Sequence, residues 1–218
     1  MRTLRFAPAG AASTRVVLLP GAYHVLEDFV GAGFDQAVRE HAPAVELVLA
    51  DPEPAHLNDR SWLAGLRQEL NGAGTAARQW LGGISLGGFM TLRMAAASTQ
   101  GLSGLCLLAP YLGARAVVAE AEAALATPAG CRARWPPAKL APDDDDRRVW
   151  GFASALATRP DAPRVFLGFG SEDRFAHAQR LLAQLLPPDA TQVIPGAHDW
   201  PVWRDLWRRF LEREVATG

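Results

Sequence analysis

The sequence predicts an α/β fold, a mostly parallel sheet with helices on both faces, in a single domain spanning residues 1–218. Two observations carry this. Short apolar runs that suit buried strands leave through Pro, Gly or Asp exits, and helical patterns with one apolar face stand between them. Strands buried on both faces read as continuous apolar runs, and parallel neighbours need crossover helices to connect them.

The strand candidates come in order. Val16-Val17-Leu18-Leu19 ends at Pro20-Gly21, and Val45 to Leu49 ends at Asp51-Pro52. Gln79-Trp80-Leu81-Gly82-Gly83-Ile84 runs into Ser85, and Leu105 to Ala109 ends at Pro110. Val165 to Phe169 ends at Gly170, and Gln192-Val193-Ile194 ends at Pro195-Gly196. Among the helices, Trp62, Leu63, Leu66 and Leu70 share a face, as do Leu181, Leu182, Leu185 and Leu186. The last helix is the clearest, with Trp203, Leu206, Trp207, Phe210 and Leu211 on one stripe and Pro201 in its first turn. These tryptophans read as core, except Trp200, which adjoins a candidate catalytic histidine.

Composition bounds the function. A chain of 218 residues that is 49% hydrophobic and 21% charged suits an ordinary globular domain. A formal net charge of −1 gives no global attraction to nucleic acid or anionic lipid. Cys106 lies within an apolar run and reads as core, while Cys131 stands in a Pro/Gly-rich stretch; two cysteines make no disulfide framework. Met1 to Pro8 lacks the apolar centre of a secretory leader, and no run approaches a membrane span, so a cytoplasmic enzyme is expected.

One segment breaks the alternation. From Gly113 to Pro163 no strand is evident, and a helical insertion acting as a cap is expected, opening with the Ala-rich stretch Ala114 to Ala126. Its run Asp143 to Asp146 lacks the spacing of a calcium loop and reads as a turn or helix start. No metal site is expected.

Gly83-Ile84-Ser85-Leu86-Gly87 matches G-x-S-x-G, for which chance gives roughly 0.06 matches in a chain of this composition. Its setting strengthens it, because an apolar strand precedes the motif and a helical run from Gly88 to Ala97 follows. A serine on so sharp a strand-to-helix turn needs neighbours without Cβ atoms, which Gly83 and Gly87 supply. The Leu86 N–H and the helix dipole would then face a developing oxyanion.

A serine hydroxyl needs a base. Of five histidines, His41, His56 and His177 read as surface or helix residues. His198, in the loop between the final strand and helix, is the candidate, with His24 its one competitor. The acid that orients it is assigned to Asp173 in Gly170-Ser171-Glu172-Asp173, with Glu172 as substitute; Asp199 reads as a helix cap.

Ser85, Asp173 and His198, each following a strand in that order, resemble the catalytic triad of the α/β-hydrolase superfamily. The resemblance covers Val16 to Leu211 and is strongest at Gly82 to Gly88 and Gly196-Ala197-His198-Asp199-Trp200. It implies a mainly parallel sheet of about eight strands, often with a helical cap where residues 113–163 fall. It also implies a second oxyanion donor after the third strand, where the family commonly has His-Gly. Here Pro20 replaces the histidine and Gly21 fits, so Ala22 is the expected donor and Tyr23 the alternative. Tyr23, His24 and Trp200 are expected to line the substrate pocket, and His24, Glu27 and Asp28 its mouth; equally, Glu27 and Asp28 could begin an exposed helix.

The expected chemistry is cofactor-free hydrolysis of an ester or thioester with a small to medium acyl group. Trp135, Trp150 and Phe152 suggest an apolar pocket, or else form the core of the cap. The alternatives are carbon–carbon bond hydrolysis by the same triad and a non-catalytic small-molecule binder that keeps the fold. A dinucleotide site is excluded, because no G-x-G-x-x-G follows the first strand.

Overall fold

Strand-forming residues surface first at the N-terminus, where Arg2–Phe6 forms β1 at one edge of the sheet. In the computed structural model, which describes residues 1–52, 61–72, 76–127, 139–156, 159 and 161–216, seven strands make one sheet. The others are β2 (Thr14–Leu19), β3 (Val45–Asp51), β4 (Arg78–Ile84), β5 (Gly104–Leu108), β6 (Arg164–Gly170) and β7 (Thr191–Ile194). Their order is β1-β3-β2-β4-β5-β6-β7, and every pairing is parallel except β1 with β3. The sequence implied about eight strands; the described residues form seven. β1 escaped the sequence reading because an edge strand carrying Arg2 and Arg5 buries no residue fully and shows no apolar run.

All six residues of β2 and Gln79–Ile84 of β4 are buried, so both faces of the central sheet are covered. The helices are α1 (Leu26–Gly31), α2 (Phe34–His41), α3 (Ser61–Asn71), α4 (Leu86–Ala97), α5 (Arg115–Leu125), α6 (Asp145–Leu156), α7 (Ala176–Ala183) and α8 (Trp200–Phe210). The amphipathic stripe of α8 is buried as its spacing requires: Trp203, Leu206, Trp207, Phe210 and Leu211 are at most 3% exposed. Trp207 stacks on Phe34 and donates its indole N–H to the Phe34 carbonyl (3.0 Å), locking α8 to α2. Asp199 caps α8 by accepting from the Val202 N–H at 3.2 Å.

Residues 113–163 supply α5 and α6, and no strand among the described residues. Cys131, Trp135 and His56 lie outside the described residues. Trp150 and Phe152 are buried on α6, and the Trp150 indole donates to the Leu112 carbonyl at 3.0 Å, so they serve as packing. The aspartate run begins α6 and ties it down. Asp146 accepts from the Ala114 N–H (2.7 Å), and Asp145 pairs with Arg93 of α4. No group of side chains suited to a metal ion occurs among the described residues, and none of their helices is long and apolar enough to cross a membrane.

Candidate active site

The site is assembled at the C-terminal ends of β4, β6 and β7, where an open parallel sheet offers its loops to a ligand. Ser85 stands between β4 and α4 with φ 53° and ψ −112°, a conformation that L residues rarely adopt. Its backbone is held from the next strand: the Ser85 N–H donates to the Leu108 carbonyl (3.0 Å), and its carbonyl accepts from the Tyr111 N–H (3.0 Å). The flanking glycines are sterically required. A Cβ on Gly83 would lie 2.4 Å from the Gly87 carbonyl carbon, and one on Gly87 would lie 2.2 Å from the Leu19 carbonyl oxygen.

Asp173 and His198 are brought together because the loops after β6 and β7 are hydrogen-bonded to each other. The Ser171 N–H donates to the Ile194 carbonyl (2.8 Å) and the Glu172 N–H to the Gly196 carbonyl (2.9 Å). Gly170 permits that approach, since a Cβ there would sit 2.2 Å from the Gly196 oxygen. His198 Nδ1 then lies 2.7 Å from Asp173 Oδ2, and Nε2 lies 3.0 Å from Ser85 Oγ.

The carboxylate beside Nδ1 can only accept, so Nδ1 carries the proton and Nε2 presents its lone pair to the Ser85 hydroxyl. The other oxygen of Asp173, Oδ1, accepts from the Phe175 N–H at 2.7 Å. The rings of Phe175 and Trp203 meet the imidazole edge-on at 5.1 and 5.0 Å and fix its plane. Ser85 is 8% exposed and Asp173 5%, so this polar chain is sheltered from bulk water.

Leu86 opens α4, so its N–H is among those a helix leaves without an intrahelical partner. Gly21 to His24 form a turn closed by the His24 N–H on the Gly21 carbonyl (3.3 Å), with Tyr23 at φ 65°. Such a turn leaves the N–H groups of Ala22 and Tyr23 unused. It lies against the serine: a Cβ on Gly21 would be 3.5 Å from Ser85 Cβ.

Tyr23 extends fully into solvent. His24 packs edge-on to Trp200 and Trp203 and faces Asp28 at 3.4 Å. Trp200 is half-buried among Phe29, Phe34 and Trp203, because the first turn of α8 points it at α1 and α2. Glu27 and Asp28 do begin a helix, with Asp28 accepting from the Val25 N–H at 2.9 Å and Glu27 paired to Arg2.

A cavity of about 640 Å³ opens between α5, α7 and the loops after β5 and β6. Tyr111 and Phe175 are among its lining, with their ring centroids 5.6 Å apart. Tyr111 is the residue whose N–H holds Ser85, and Phe175 is the residue whose ring rests on His198. The sequence reading passed over both, although each closely follows the C-terminal end of a parallel strand.

Neither a protein-family model nor a curated protein sequence matches the chain. Solved structures do. A fluorophosphonate-binding serine hydrolase of Staphylococcus aureus, substrate bound, aligns over 96% of this chain and 90% of its own, with TM-score 0.67 and 13% identity. Est1E from Butyrivibrio proteoclasticus aligns over 96% and 90%, with TM-score 0.65 and 16% identity. The fold is that of the α/β-hydrolases. A monoacylglycerol lipase of Paleococcus ferrophilus also shares it over 99% of this chain and 98% of its own, with TM-score 0.57 and 15% identity. In this chain α5 and α6 lie between β5 and β6.

Proposed function

We propose that the protein is a serine hydrolase that cleaves an ester or thioester of a small molecule through Ser85, His198 and Asp173. The observation that carries this reading is the continuous hydrogen-bonded chain from Asp173 Oδ2 through the imidazole to Ser85 Oγ, at 2.7 and 3.0 Å. A pocket that only binds has no need of a serine in strained backbone geometry facing an oriented base.

In the proposed reaction, Ser85 Oγ attacks the carbonyl carbon while its proton passes to His198 Nε2. Asp173 keeps Nδ1 protonated and balances the imidazolium charge. The N–H groups of Leu86 and Ala22 receive the oxyanion of the tetrahedral intermediate. Its collapse breaks the bond to the alcohol or thiol, which leaves with the proton from Nε2. Water then attacks the acyl-serine with His198 again as base, and the carboxylic acid is released. Residues 113–163 act as the cap of a single domain, with α5 forming one wall of the cavity. The reading is of a cytoplasmic enzyme that needs no cofactor.

Fluorophosphonate labelling tests it. Wild type should be labelled at Ser85 and should hydrolyse p-nitrophenyl esters, and Ser85→Ala should do neither. A folded wild type that is neither labelled nor active would overturn the reading in favour of a binding protein.

A further inference from the structure

Two guanidinium groups border the cavity lined by Tyr111 and Phe175. Arg115 stands in the first turn of α5 and Arg174 in the loop after β6, on different walls. Neither is in an ion pair with a described residue, whereas Arg147, Arg148, Arg93 and Arg164 all are. Arg174 is held over the Phe175 ring, its guanidinium carbon 4.9 Å from the centroid, and the far edge of that contact chain is His198. The charge therefore lies one aromatic ring from the imidazole. The acidic residue of the lining, Glu122, faces His177 across the rim at 3.2 Å. The remaining walls, Tyr111, Leu112, Val118, Phe175 and Ala178, are largely apolar.

We infer that the substrate is an anionic ester, with an apolar segment along Tyr111, Val118 and Phe175 and a carboxylate at the end far from the scissile bond, received by Arg115 and Arg174. This inference rests on the serine-hydrolase reading. Tyr111 and Phe175 connect the two places: the Tyr111 N–H binds the Ser85 carbonyl, the Phe175 ring meets His198, and both side chains line the cavity that Arg115 and Arg174 border. Arginine suits this task because its planar fork matches a carboxylate and its charge is permanent.

The test uses two substrate pairs. p-Nitrophenyl valerate and mono-p-nitrophenyl glutarate place the added carboxylate on the acyl side; p-tolyl acetate and p-acetoxybenzoate place it on the alcohol side. The readout is the ratio of kcat/KM for the anionic member over the neutral one. In at least one pair, Arg115→Gln and Arg174→Gln should each lower that ratio about fivefold, as expected for solvent-accessible ion pairs. The double variant should lower it further than either single variant, Arg174→Lys should retain part of it, and added salt should weaken the wild-type preference. Arg204→Gln, on the exposed face of α8, controls for net charge and should leave the ratio unchanged.

A ratio that Arg115→Gln and Arg174→Gln leave unaltered in both pairs would overturn the inference, even with labelling and neutral-ester hydrolysis intact. Absence of fluorophosphonate labelling and of all turnover would instead overturn the serine-hydrolase reading, and this inference with it.

Discussion

Replacing Asp173 by Asn probes the hydrogen-bonded chain at its least conspicuous contact. Asp173 uses both oxygens, Oδ1 for the Phe175 N–H and Oδ2 for His198 Nδ1, each at 2.7 Å. An amide has one oxygen. The Phe175 N–H can only donate, so the amide oxygen must face it and the NH2 group must face Nδ1. Nδ1 then becomes an acceptor, the ring proton moves to Nε2, and Ser85 meets a donor where it needs a base. Turning the amide round would oppose two donors and leave a buried N–H unsatisfied, at about 1–3 kcal/mol. Restoring the productive tautomer thus costs about 5- to 150-fold in rate. Loss of the carboxylate charge beside the imidazolium takes the fall in kcat/KM to about ten-thousandfold. Stopped-flow or plate assays with a p-nitrophenyl ester measure this, while circular dichroism checks that the fold persists. Activity of Asp173→Asn within tenfold of wild type, with Glu172→Gln strongly impaired, would refute the reasoning and move the acid to Glu172.

Two further predictions concern the turn that holds Ser85. Ser85→Gly should abolish turnover yet exceed Ser85→Ala in stability by about 0.5–2 kcal/mol. It relieves a backbone strain of about 1–3 kcal/mol against a glycine entropy cost of about 0.5–1 kcal/mol; paired urea melts measure the difference. Gly87→Ala should lose at least about 3 kcal/mol in the same assay, because its Cβ would meet the Leu19 and Pro20 carbonyl oxygens at 2.2 and 2.6 Å, and neither can rotate away.

What could be read from sequence divides along physical lines. The Ser85 turn was legible because stereochemistry demands particular residues there: Gly83 and Gly87 have no substitute that fits. The stripe of α8 was legible because burial of a whole helix face imposes a period over several turns. β1 was not, since an edge strand needs pairing partners rather than an apolar run, and Arg2 and Arg5 obscured it. Trp200 looked like a pocket residue by its place beside His198. Its direction, however, is set by the α8 first turn and by Phe29 and Phe34, which lie more than a hundred residues away in sequence. Tyr111 and Phe175 were overlooked for the converse reason. Each is an ordinary aromatic in a loop, and only the pairing of β5 with β6 brings the two rings together.

The links from Ser85 to His198 and from His198 to Asp173 span 113 and 25 residues. The proposed base therefore stands on a strand-loop-helix segment far downstream of Ser85, and among the described residues His198 is the side chain hydrogen-bonded to Ser85 Oγ. A nascent chain can complete β1 to β6 and the Ser85 turn while its hydroxyl remains without a base. Under the proposed function, reactivity waits until β7 has paired with β6 and α8 has docked on α2, a long-range closure that comes late in folding. Ester turnover, the proposed activity, is for that reason expected to appear during refolding only as the segment carrying β7 and α8 docks.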